Sequence, residues 1–273
     1  MKKIQSKSLL TLVVFLVAIG IVTTSADRFI GIQNTAKADT LRSDGGAADY
    51  YEIDNPNRVR YPAILREHRE ESKGYIKQYV KRERAYIKLM FRRGKDYMPI
   101  AREIFDRFDV PREFQVLPAL ESNFTAHAVS PAGAVGYWQF MPELAREYGL
   151  SITGGNDERK NFRKSTVAAA KFIRYQLKVY NNDPLLVVAA YNCGPGRVNL
   201  AMRKSGAKDY WSLKQYLPAE TRTFVMRFLA LNVVEMNYDK FLQNSLDLEE
   251  PAKIQIAKMD SVQSEDATTM MEF

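Results

Sequence analysis

A glutamate closes the apolar run FQVLPAL (114–120), just ahead of a stretch rich in Gly, Ala and Pro, SPAGAVG (130–136). Read as one helix, PREFQVLPALES places Phe114, Leu117 and Glu121 at i, i+3 and i+7, on a single stripe. Pro118 distorts that register. Glu121 then projects from the apolar face. Partial burial disfavours a carboxylate and raises its pKa. An acid still protonated near neutral pH can hand its proton to a leaving group. Position alone also fits a helix-end glutamate that caps or forms a salt bridge.

The neighbouring residues bear on that choice. SPAGAVG removes side-chain bulk, so backbone N–H and C=O groups can meet a ligand directly. Tyr137, Trp138, Gln139, Phe140 and Met141 follow. Aromatic faces, an amide and a thioether suit sugar rings, with their CH-rich faces and hydroxyl edges. Taken singly, Trp138 and Phe140 read first as core. A third piece, AAYNCGPGRV, sets Tyr191 and Asn192 at a helix end beside a Gly-Pro-Gly turn, where such residues also satisfy local hydrogen bonds. His127 is the only histidine in this segment, and no Cys/His/Asp set has triad or metal spacing. The expectation is therefore no metal and no cofactor. Cys193, the single cysteine, reads as a small packed residue and leaves stability to the core.

The elements around these residues are helices. From Tyr97 to about Asn237, caps and breakers punctuate helical patterns and strand alternation is nearly absent. Asp109 and Pro111 open one helix, Pro142 another that runs to Gly149, and Ser165 caps STVAAAKFIRYQLKVY. Asp183 and Pro184 open PLLVVAAYN, and Pro218 opens AETRTFVMRFLALNVV. The expected class is all-α.

Outside this core the chain changes character. MKKIQSK, a 14-residue apolar run and TTSAD have the layout of a secretory signal peptide over 1–26; the run is short for a membrane span. Residues 27–57 read as a polar linker or irregular arm. Residues 58–95 hold 13 Lys/Arg against 4 Asp/Glu, with Tyr75, Ile76, Tyr79, Val80, Tyr86, Ile87, Met90 and Phe91 at helical spacing. This basic helical segment either holds an anionic surface or docks by its aromatic stripe with its charges solvated. Residues 96–240 form the main helical domain, and 241–273 read as a polar tail. The net charge of +8 would suggest nucleic acid in a cytosolic protein. In an exported one the acidic partners are wall polymers or membrane head groups, so no nucleic acid is expected. The location expected is the periplasm or cell envelope.

The motifs ALES, GAVGYWQFMP, AAYNCGPGRV and AETRTFV, in this order, resemble the soluble lytic transglycosylase (SLT, goose-type-lysozyme-like) domain family. The pattern is that of its membrane-bound lytic murein transglycosylase D type, over about residues 95 to 237. The resemblance implies a lysozyme-like all-α domain that cleaves the β-1,4 bond between N-acetylmuramic acid and N-acetylglucosamine in peptidoglycan glycan strands. It implies that Glu121 acts first as acid and then as base to the muramyl 6-hydroxyl, closing a 1,6-anhydro ring. Most glycosidases need a second carboxylate; here the substrate's acetamido oxygen takes that part. By the same resemblance Ser130 lies near an acetamido or muramyl oxygen, and Gln139 and Met141 line the cleft. Tyr191 hydrogen-bonds near the carboxylate, Asn192 supports its helix end, and Glu220 has a structural or substrate role. Phe224, Tyr137 and Cys193 depart from the usual Tyr, Leu or Met, and Ala. Two alternatives stay open: a non-catalytic wall-binding or assembly protein on this scaffold, and a hydrolytic lysozyme recruiting Asp157 or Glu158 as second acid.

Overall fold

The computed structural model describes residues 59–248 apart from Arg66 and Asp247. The expected signal peptide, the expected 27–57 arm and most of the expected tail lie outside the described residues. Eleven α-helices and one two-stranded hairpin make up the described part, with short 3-10 turns between them. No helix among the described residues is long and apolar enough to cross a membrane.

The basic segment folds as α1 (Arg69–Arg82) and α2 (Arg84–Gly94). Its apolar stripe is docked: Ile76, Tyr79, Val80, Ile87, Met90 and Phe91 are buried, while Tyr86 stays 45% exposed. Lysine and arginine heads stay outside, as long charged side chains do when their stems cover apolar surface. α1 packs along α10 (Ala219–Met236). Arg84 closes the far end of α11 (Tyr238–Leu242), donating to the carbonyls of Phe241 at 2.5 Å and Leu242 at 3.3 Å. A cation at a helix C-terminus meets both the unpaired carbonyls and the dipole there.

α3 (Met98–Arg107) leads through a 3-10 turn (Arg112–Val116) into the short α4 (Leu117–Ser122). The single helix expected over 111–122 is thus broken between Val116 and Leu117, just ahead of Pro118. Proline cannot donate to the preceding turn, so the chain tightens before it and restarts with proline at the helix start. α5 (Pro142–Glu147) and the hairpin β1 (Ile152–Thr153) and β2 (Asn156–Asp157) follow. The hairpin was not legible, since two residues per strand carry no alternation. α6 (Phe162–Val179) is capped by Asn161, whose side chain accepts from the Lys164 amide, not by Ser165. Ser165 sits inside the helix and bonds back to the Asn161 carbonyl.

α7 (Pro184–Cys193) is the central helix, buried from Leu185 through Cys193. Asp183 caps it through both Leu185 and Leu186 amides, and its second oxygen accepts from the Tyr210 amide. One carboxylate therefore fixes α7 against α9 (Tyr210–Leu213), with α8 (Pro195–Ser205) between them in sequence. α10 crosses α7 and also meets α4. One continuous hydrophobic cluster joins all these helices, α1 and α2 included.

Candidate active site

Glu121 stands in the last turn of α4. Beyond it Asn123 (φ 51°) and Phe124 (φ 55°) turn left-handed and reverse the chain. Such φ values are unusual away from glycine, although asparagine tolerates them best. The turn is pinned by Ser122, which the sequence reading did not single out. Its hydroxyl donates to the Tyr137 carbonyl at 2.8 Å, with the Pro118 carbonyl at 3.2 Å as a second acceptor, and it accepts from the Thr125 amide. The carboxylate helix and the GYWQF segment are thereby joined one residue from Glu121.

The Glu121 carboxyl has one oxygen, Oε1, shut away from solvent without a hydrogen-bond partner among the described residues. Burial pushes its pKa from 4.5 up to about 8, with no neighbouring cation or donor opposing the shift. A capping or salt-bridging role at the helix end is thus not what this side chain performs among the described residues.

The Gly/Ala-rich segment is a folded loop, not open backbone. The Ser130 amide donates to the Ala134 carbonyl, and the Ala134 amide returns a bond to Ser130 Oγ at 3.0 Å. Val135 pairs across with Val129 on one side and Phe140 on the other. Gly136 (φ +84°) donates to the Ala128 carbonyl. A β-carbon there would sit 2.1 Å from the Arg159 carbonyl oxygen, so only glycine fits.

Gln139 (φ 48°) spends its amide nitrogen inside this loop, donating to the Ala128 and Gly136 carbonyls at 3.1 and 2.9 Å. Only its side-chain carbonyl oxygen is left for a ligand. Trp138 and Phe140 are fully buried, and the indole N–H donates to Thr166 Oγ1 at 3.0 Å. Both positions are core packing, the reading favoured for each taken singly, and not a platform for a sugar. Tyr137 is buried too, its hydroxyl bonded to that of Tyr97. Met141, half-buried, is the N-cap of α5.

A second feature the sequence did not disclose is Arg159, buried under the loop. It donates to the Gly133 and Phe140 carbonyls at 3.2 and 3.0 Å and grips Asp157 through Nε and Nη2. Asp157 is thereby held below its usual pKa. Glu158 pairs with Lys164 and accepts from the Ser151 amide, and its pKa is lowered as well. Neither carboxylate is a free second acid.

Tyr191, on α7, comes close enough to Glu121 to feel its charge. Burial chiefly, and then that carboxylate, raise the phenol well above 10. Its hydroxyl donates not to Glu121 but to the Trp138 carbonyl at 2.5 Å. Asn192 is buried beside it, and Cys193 is a buried free thiol whose pKa burial raises, as a packed residue requires. Phe224 is buried on α10. Glu121, Ser130, Gln139, Met141 and Tyr191 thus share the neighbourhood of one loop. Glu220 does not join them by any hydrogen bond or ion pair among the described residues; it is exposed on the first turn of α10.

Residues 105–214 match the family model described as Transglycosylase SLT domain. Membrane-bound lytic murein transglycosylase D of Escherichia coli (strain K12) is 38% identical over 178 residues, 63% of this chain and 38% of that protein. Soluble lytic murein transglycosylase of the same strain is 28% identical over 152 residues, 50% of this chain and 23% of that protein. Among solved structures, the 70 kDa soluble lytic transglycosylase from Escherichia coli superposes with a TM-score of 0.43 at 22% identity, over 55% of this chain and 25% of that chain. The chain spans well under half the length of these relatives. Over residues 105–214 this chain is thus similar to the transglycosylase SLT domain family.

Proposed function

We propose that the protein is a peptidoglycan lytic transglycosylase and that Glu121 is its one catalytic acid and base. The observation that carries this reading is the Glu121 carboxyl itself, half-buried, unpartnered at Oε1 and protonated up to about pH 8. At neutral pH it holds the proton that the glycosidic oxygen needs as the bond to the muramyl residue breaks. The carboxylate left behind then takes the proton of the muramyl 6-hydroxyl, which attacks the anomeric carbon and closes the 1,6-anhydro ring. The attacking hydroxyl belongs to the substrate, so its effective concentration is already high. The substrate's acetamido oxygen stabilises the oxocarbenium-like centre.

Support for a single-acid mechanism comes from the ion pairs of Asp157 and Glu158, which disfavour the hydrolytic reading. Tyr191 acts as a positioning residue: its bond to the Trp138 carbonyl fixes α7 against the loop beside Glu121. Ser130, the Gln139 carbonyl oxygen and Met141 are the substrate contacts we infer, with Asn192 supporting the helix end. Glu220 fits a role at the α10 N-terminus, where a carboxylate meets the positive end of the helix dipole. An envelope location follows from the substrate.

The test is release of soluble fragments from purified sacculi by the chain from Asp27 onward. Glu121→Gln should lower the rate by about 10³-fold with the thermal transition retained. Undiminished release by that variant would refute the assignment.

A further inference from the structure

A groove of about 610 Å³ opens between α2, α3, the end of α10 and α11. It contains none of the residues assigned above to chemistry or substrate. Its floor is carbon: Leu89, Phe91, Met98 and Leu242, the last 44% exposed. Its rim is cationic. Lys88, Arg92 and Lys95 stand at i, i+4 and i+7 along α2 and the turn after it, so they share one face over roughly 10 Å. All three are exposed, and none has an ion-pair partner among the described residues. The one acid lining the groove, Glu235, is opposed by Arg102 at 3.4 Å.

Three unpaired cations in a row beside a groove floored by carbon, with Leu242 as its exposed part, call for an anion joined to an apolar body. A peptide laid on this floor would turn backbone N–H and C=O groups towards carbon, where they find no partners. An acyl chain asks for none. Lysine and arginine at such a rim reach outward to phosphate while their stems lie on the apolar surface.

We propose that this groove seats an acyl chain of an anionic phospholipid, with Lys88, Arg92 and Lys95 meeting its phosphate and those of neighbouring lipids. The protein then rides on an anionic bilayer surface by this face, without a membrane-spanning helix from the described fold.

The probe is co-sedimentation of the chain from Asp27 onward with phosphatidylcholine vesicles, with and without phosphatidylglycerol. Binding should require phosphatidylglycerol. The K88E/R92E/K95E variant should bind roughly 100-fold more weakly, with its melting temperature and its binding to sacculi unchanged. Leu242→Ser should weaken binding several-fold, since it removes exposed floor and no charge. The single Lys88→Gln change, at an exposed position, gives a smaller loss in the same direction should the triple variant fold poorly. Equal binding to both vesicles overturns the proposal, as does charge reversal without effect. Loss of sacculus binding with vesicle binding intact assigns the face to the wall polymer instead. Binding that appears only once residues 249–273 are removed assigns the groove to the chain's own acidic tail. An unaffected Leu242→Ser variant removes the acyl seat.

Discussion

At the scale of the residue, one proton on Glu121 decides the chemistry and the pH dependence. A folded-state pKa of about 8 against 4.5 for the free side chain means that the native protein holds a proton the unfolded chain releases. This contribution to stability is complete below about pH 4.5 and is lost as pH rises through 8. Glu121→Gln keeps the shape and cannot ionise. It should therefore be more stable than the parent by on the order of 2–3 kcal/mol at pH 7, with the difference vanishing near pH 4. Thermal unfolding of both proteins across that range checks it; a parent that is the more stable at pH 7 would speak against a buried, protonated Glu121. The same proton sets the rate profile. As general acid, Glu121 should give kcat/KM that falls about tenfold per pH unit above 8. A limb near pH 4.5 instead would mean that the carboxyl is ionised in the working enzyme. This residue was legible because a lone glutamate ending FQVLPAL is a local anomaly. The unpaired Oε1 was not, because it depends on what the surrounding packing leaves around it.

At the scale of the element, the 128–141 loop is the scaffold of the site, and it is built from inside. Gly136 touches the Arg159 backbone, and any β-carbon there must displace that backbone as well as adopt φ +84°. Gly136→Ala should cost about 3 kcal/mol or more, read by denaturant unfolding. Arg159→Met breaks the pair with Asp157, leaves the Gly133 carbonyl without its donor and leaves the Phe140 carbonyl with the Val135 amide alone. Removing one partner of a mostly buried pair costs on the order of 3–5 kcal/mol. The Asp157→Asn, Arg159→Met double variant should lose less than the two single changes summed. The Gly/Ala run announced a special backbone, yet it suggested open main chain where the structure has a self-bonded turn. Trp138 and Phe140 illustrate the same limit: a sugar platform and a core use the same residue types, and only burial separates them. The place of Arg159 under the loop carries no sequence signal, since the Phe140 and Gly133 carbonyls it meets lie 19 and 26 residues away.

At the scale of the whole molecule, α10 is the spine. It meets α1, α7 and α4, so the N-terminal basic segment and the carboxylate helix rest on the same support. The segment matched by the family model, 105–214, includes neither α1, α2 nor α10. Expressed alone, it should fail to give a cooperative thermal transition, whereas the chain from Asp27 onward should melt in one step; circular dichroism distinguishes the two. A cooperative, fully helical 105–214 fragment would mean that the core is more divisible than its single cluster implies. The helical class was legible, as were the starts of α5, α7 and α10 from Pro and Asp punctuation at 142, 183–184 and 218. The docking of α1 on α10 was only half legible: the stripe was visible, its partner more than 130 residues away was not.

The central claim, that Glu121 drives a lytic cleavage with no second carboxylate, is met most directly by the mass of the products. Purified peptidoglycan is digested with the chain from Asp27 onward and with its Glu121→Gln variant, and the muropeptides are weighed. The account predicts chain ends one water lighter than hydrolysis would leave, and their absence with the variant. Reducing ends from the parent protein, or the same lighter ends from the variant, would contradict it.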